Sequence, residues 1–141
     1  KPTVFIGHSV GAMSIIFFLH KKTYSDSNKI VLLGAPSTFT GIIERYKKMM
    51  GYSKKVGNGI DRYIKLTFGY PASYYSTANF IKNIDSHGLI FHDKRDPIIP
   101  YKDAIEIDLQ FKNARLIPTK GLGHALKDNY ISDEIIKFLS H

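Results

Sequence analysis

Gly7-His8-Ser9-Val10-Gly11 is the segment of this sequence best suited to chemistry: a serine with a glycine two positions away on each side, directly after an apolar run and directly before a helix-like pattern. A tight strand-to-helix turn crowds the backbone around its tip, so minimal side chains are expected at both Gly7 and Gly11, with Ser9 held out exposed. A serine hydroxyl is a poor nucleophile until a general base takes its proton, and that base needs a partner to fix its tautomer. Six histidines could supply the base: His8, His20, His87, His92, His124 and His141. His8 is bound into the turn, His20 sits late in a helix-like segment, His141 is terminal, and His87 and His92 flank a strand-like run. His124, between Gly123 and Ala125, is the one in a loop after the last strand-like run. Asp96, ahead of Pro97 and Pro100, is the favoured acid, with Asp93 as a competitor from the same loop. The backbone N–H of Val10, opening a helix, is a candidate donor to a developing oxyanion.

The elements that must position these residues read as an alternation. Pro2 to Ile6 is a short β-branched and aromatic run, read as a strand buried on both faces. A helix is expected from Val10 with Lys21 and Lys22 at its end, then a second strand at Lys29 to Leu33, closed by Gly34 and Pro36. Between Ala35 and Asp85 apolar residues recur at helical spacing, and their Met and aromatic stripes are expected to face a core. Strands at Gly88 to Phe91 and Ala114 to Ile117 follow, with helices at Tyr101 to Lys112 and Asp128 to Leu139. The order β-α-β, helical insert, β-α-β-α predicts an α/β fold: an open, mainly parallel sheet with helices on both faces. Such sheets place their sites at the C-terminal ends of the strands, where Ser9, Asp96 and His124 all fall.

With 141 residues, 43% hydrophobic, 23% charged and no cysteine, one globular domain is expected, and thiol catalysis and CxxC zinc sites are excluded. No HExxH or DxDxDG spacing occurs, and no GxGxxG follows a strand, so neither metal nor nucleotide cofactor is expected. The net charge of +8 invites a nucleic-acid partner, but the basic residues come as scattered pairs with no run of five. Neither a nucleic-acid nor a membrane partner is expected, and no apolar stretch approaches the roughly 20 residues of a spanning helix.

The motifs together resemble the C-terminal half of an α/β-hydrolase fold serine hydrolase, closest to uncharacterised, esterase-like bacterial members. GHSVGA is similar to that family's nucleophile elbow, FHDKRDPIIPY to its H-G-x-x-D-x-x-V-P acid loop and TKGLGHALKD to its histidine loop; Asp93 stands where the family usually has Gly. The resemblance implies Ser9 as nucleophile, Asp96 as acid, His124 as base and the Val10 N–H as one oxyanion donor, with no cofactor. It further implies a small-molecule acyl substrate and a helical cap at residues 35–85 within a single partial domain of residues 1–141. His8, Phe39 and Tyr46 are the candidate substrate-binding residues. The family's first strands, and the loop that supplies its second oxyanion N–H, have no counterpart before Lys1. A missing N-terminal segment or a second copy is therefore expected to complete the sheet. The expected activity is cleavage of a carboxylic ester, thioester or related acyl bond. The alternative is a non-catalytic or truncated module, inactive without its other half. A cytoplasmic location is the expectation, with a signal segment left open.

Overall fold

A computed structural model describes residues 3–22 and 29–141. Four strands, β1 (Val4–His8), β2 (Lys29–Leu33), β3 (His87–Asp93) and β4 (Ala114–Thr119), form one all-parallel sheet in the order β1-β2-β3-β4. The α/β architecture expected from the alternation is thus present, as a partial version with four strands. Parallel strands require crossovers, which α1 (Val10–Lys21) provides between β1 and β2 and α5 (Tyr101–Gln110) between β3 and β4. The last helix, α6 (Asn129–Ser140), is N-capped by Asp128, whose carboxylate accepts from the Tyr130 N–H at 2.8 Å.

The helices cover both faces of the sheet. On one face Ile16, Ile30, Ile90 and Ile107 join a core with α1 and α5; on the other, Val31, Leu89 and Phe91 pack with Ile131 of α6. Each fully buried Leu, Ile or Phe contributes about 1.5–3 kcal/mol of transfer free energy, so β2 and β3 anchor the fold. Strand β1 differs. It was read as buried on both faces, yet Val4 is 41% and Ile6 50% exposed, because it is the outer strand among the described residues. Pro2, included in that reading, lies outside the described residues.

Between β2 and β3 lie α2 (Phe39–Met50), α3 (Lys54–Phe68), a short 3-10 turn and α4 (Thr77–Ile81). Helix α4 belongs to the core through Phe80 and Ile81. Helices α2 and α3 form an excursion whose two ends are laced together: the Phe39 N–H donates to the Tyr75 carbonyl at 2.9 Å and the Ser76 hydroxyl to the Ser37 carbonyl at 3.3 Å. Buried Asp103 of α5 ties the excursion down, accepting from the Ser37 N–H at 3.0 Å and the Arg45 guanidinium at 3.4 Å. The expectation that the Met and aromatic stripes here face a core is not met. Met49, Met50, Tyr63 and Leu66 are mostly exposed, and α2 and α3 bury one side chain each, Ile42 and Ile64, because no second layer covers their outer sides among the described residues.

Candidate active site

Strand β1 ends at His8 and α1 begins at Val10, so Ser9 alone makes the turn, at φ 54 and ψ −126. A non-glycine residue there costs on the order of 1–3 kcal/mol. The surroundings hold it: the Ser9 N–H donates to the Leu33 carbonyl at 2.8 Å, and the Ser9 carbonyl accepts from the Ala12 N–H at 3.0 Å. The two glycines are not equivalent. A Cβ on Gly7 would lie 2.7 Å from the Ala12 Cα and 2.8 Å from its backbone N, so only glycine fits. A Cβ on Gly11 would meet no described atom within 4 Å. The expectation that crowding demands both therefore holds for Gly7 and is corrected for Gly11, which sits on the open side of the helix's first turn.

The loops after β3 and β4 bring their residues to Ser9. His124 Nε2 lies 3.0 Å from Ser9 Oγ and His124 Nδ1 lies 2.7 Å from Asp96 Oδ2. The Asp96 side chain is wholly buried, while the His124 side chain is 19% exposed. The other Asp96 oxygen accepts from the Ile98 N–H at 2.8 Å and the Ile99 N–H at 2.9 Å, which fixes the orientation of the carboxylate. In the tautomer that donates Nδ1–H to Asp96, the Nε2 of His124 would face the serine hydroxyl as an acceptor, the arrangement a general base requires.

Asp93, the competing acid, does different work. Buried, its carboxylate accepts from the Arg95 N–H (2.8 Å), the Leu122 N–H (2.8 Å) and the Thr119 hydroxyl (2.9 Å), stitching the Asp96 loop to the segment that leads to His124. Burial acts to raise its pKa, but the donors from Arg95, Leu122 and Thr119 outweigh it and hold the group at about 2. His92 is also structural: it is buried with Nε2 donating to the Ile99 carbonyl at 2.9 Å, 3.5 Å from Asp96 Oδ2.

Of the proposed substrate-contacting residues, His8 turns toward His124, its Nε2 2.7 Å from the His124 carbonyl and its ring centroid 4.8 Å from that of His124. Phe39 lines an apolar cavity of about 350 Å³ with Val10, Met13, Phe17 and Phe68. Tyr46 lies elsewhere, in a groove with Met49 and Ile98 of about 320 Å³. The Val10 N–H opens α1, where backbone N–H groups have no intrahelical acceptor. A larger cavity, about 690 Å³, lies at the opposite end of the sheet, at the starts of β2, β3 and β4; His87 and His141 line it, far from Ser9, Asp96 and His124.

Sequence reasoning missed Gly34, treated only as the residue that ends β2. Its φ is +55, and a Cβ there would lie 3.3 Å from His124 Nδ1 and 3.7 Å from Asp96 Oδ2, so the His–Asp pair rests directly on its bare Cα. Its position at the C-terminal end of a strand, level with the serine turn, was the available signal. Among the described residues no cluster of His, Cys, Asp and Glu has the arrangement of a metal site, and no helix is long and apolar enough to cross a membrane.

No family model matches the chain, nor does any curated protein. Solved structures do. The esterase RhEst1 from Rhodococcus sp. ECU1013 superposes with a TM-score of 0.69 at 14% identity, covering 97% of this chain and 64% of its own. A lipase-esterase related protein from Clostridium acetobutylicum ATCC 824 gives 0.68 at 17%, covering 98% and 66%. The meta-cleavage product hydrolase CumD from Pseudomonas fluorescens IP01 gives 0.62 at 15%, covering 99% and 63%. The chain therefore spans less than two thirds of these structures' lengths. At such identities the likeness speaks to fold alone, and it agrees with the parallel sheet and its serine turn: this chain has a partial α/β-hydrolase fold.

Proposed function

We propose that this chain carries the nucleophile, base and acid of a serine hydrolase that cleaves a carboxylic ester, thioester or related acyl bond through an acyl-enzyme. The observation that carries the reading is the continuous path Ser9 Oγ to His124 Nε2 (3.0 Å) and His124 Nδ1 to Asp96 (2.7 Å). In this mechanism Ser9 Oγ bonds to the acyl carbon as His124 Nε2 takes the hydroxyl proton. The carbonyl electrons move onto its oxygen, beside the Val10 N–H. The carbon–leaving group bond then breaks as His124 returns the proton to the departing alcohol or thiol. Water repeats the sequence on the acyl-enzyme and frees Ser9. The buried Asp96 stabilises the imidazolium without itself being protonated. The apolar cavity beside Val10 is read as the acyl pocket, with Phe39 in its wall.

The exposed apolar edge of β1 favours a second reading, in which the same module is inactive until another segment or chain pairs with that edge. One experiment separates the two. The chain is treated with a fluorophosphonate and mapped by intact mass and peptide analysis. An adduct on Ser9, absent from Ser9→Ala and His124→Ala, supports the first reading. No adduct on the wild-type chain overturns it for this chain alone and leaves the second.

A further inference from the structure

Helix α3 has two apolar sides. Ile64 points inward and is buried, and Phe68 lines the cavity beside Val10. Val56, Tyr63 and Leu66 are 49%, 65% and 75% exposed, and at the helical period they fall within about 80° of one another on the side away from Ile64. The exposed cations Lys55 and Arg62 lie within about 40° of Leu66 along the same strip. Where α2 runs into α3, Met49 and Met50 are 70% and 71% exposed, next to Lys47 and Lys48. Across residues 39–75 there are seven Lys and Arg against two acidic residues, which places five of the chain's eight net positive charges on this excursion. Of these cations, Lys55 and Arg62 share the apolar strip of α3, whereas Arg45 is paired with buried Asp103 and Lys54 and Lys65 lie outside that strip.

We propose that this outer face of α3, with the Met49–Met50 turn beside it, docks on an anionic lipid surface. A helix with large apolar side chains flanked by Lys and Arg lies in the headgroup region with its apolar side chains in the acyl boundary and its cations on lipid phosphates. A second copy of the chain would set this cationic face against itself, and like charges oppose such a pairing. Nucleic acid would satisfy the cations but leave Val56, Leu66 and the methionines in water. The docking departs from the expectation that no membrane partner exists, an expectation drawn from the linear spacing of the basic pairs. It does not depend on the hydrolase reading. If that reading holds as well, docking brings the cavity beside Val10 to the lipid, because the two sides of α3 face the lipid and the cavity.

The test is co-sedimentation of the chain, and of Ser9→Ala, with vesicles of equal parts phosphatidylglycerol and phosphatidylcholine and with phosphatidylcholine alone. Both proteins are expected to bind the mixed vesicles, more weakly as salt rises, and not the neutral ones. Lys55→Gln with Arg62→Gln is expected to weaken binding about thirtyfold, at roughly fivefold per cation. Tyr63→Ser with Leu66→Ser, both exposed and so compatible with folding, is expected to weaken it at least tenfold, at an unchanged melting temperature. Failure to bind mixed vesicles, equal binding to neutral ones, or indifference to the Tyr63 and Leu66 substitutions would overturn the proposal. So would a concentration-dependent dimer that Leu66→Ser dissociates, which would assign the stripe to a second copy. Vesicle binding without any fluorophosphonate adduct would overturn the hydrolase reading for this chain alone and leave the docking intact.

Discussion

The two sides of Ser9 are built differently. Toward His124, the polar groups are held by internal contacts: Asp96 accepts from two backbone N–H groups and lies 2.7 Å from the imidazole, Asp93 ties the two loops together, and Gly34 supports the pair from below. Toward Val10, the surface is open: Gly11 has no described atom within 4 Å of an added Cβ, and Ile6 of the adjoining strand is 50% exposed. The side that would move protons is thus fixed by contacts within this chain, whereas the side that would receive the oxyanion is bordered by open space at Gly11 and by the exposed edge of β1. Preorganisation here is local, and substitutions on the two sides should have very different effects.

The largest effect is expected at Asp96. Asp96→Asn keeps the shape but cannot favour the Nδ1–H tautomer, so His124 would turn a proton toward Ser9 instead of accepting one. The fluorophosphonate labelling rate is expected to fall on the order of 10⁴-fold. A fall of less than about tenfold would mean that the Asp96–His124 contact does not set the base, and the closed side would lose its special status.

Next comes the closed end of the turn. Gly7→Ala pushes a methyl into the backbone of Ala12, where no side-chain rotation relieves it, and is expected to cost about 3 kcal/mol by denaturant titration. A cost under about 1 kcal/mol would show that β1 and α1 can shift apart, and the turn would not be the rigid element described here.

Much of this arrangement was legible in the sequence. The apolar runs of β2 and β3 and their glycine and proline stops mark the sheet, and the motifs around Ser9, Asp96 and His124 single out the three side chains that the fold links in succession, at 3.0 Å from Ser9 to His124 and 2.7 Å from His124 to Asp96. Contacts that no local pattern encodes were not legible. Gly34 looked like a strand terminator because its closeness to His124 arises from residues 90 positions apart in sequence. Asp93 looked like a departure from a familiar loop because its partners Thr119 and Leu122 lie at the end of β4 and in the loop after it. The stripes of α2 and α3 misled for a related reason: helical periodicity shows that a face is apolar, and whether that face is covered depends on neighbours that periodicity does not name.

Asp93 gives the third test. Its folded pKa, about 2, lies below the ordinary 3.8, so the fold binds the carboxylate form more tightly. The stabilisation is present in full above pH 3.8 and is lost as pH falls from there through 2, amounting to about 2 kcal/mol. Asp93→Asn should flatten that acid limb and lower stability at neutral pH by a similar amount. An unchanged acid limb in the variant would show that the stitch between the two loops does not depend on this charge.

The smallest expected effect, at Gly11, bears most directly on the open side. Glycine costs a helix roughly 0.5–1 kcal/mol relative to alanine, because more backbone freedom is lost on folding. At Gly11 no described atom opposes a methyl, and φ there is not positive. Gly11→Ala should therefore raise the stability of this chain by up to about 1 kcal/mol, less if the first turn frays, and leave fluorophosphonate labelling within about twofold. The sign is the informative part. A gain means that the space beside the first turn of α1 is empty in the isolated chain, consistent with the contrast between Gly7 and Gly11. A loss means that something packs against Gly11 in solution, and the most direct candidate is a second copy seated on the exposed edge of β1. Sedimentation of the wild type and Gly11→Ala at several concentrations would then decide, since a methyl in such an interface should weaken association while leaving the monomer's own helix stronger.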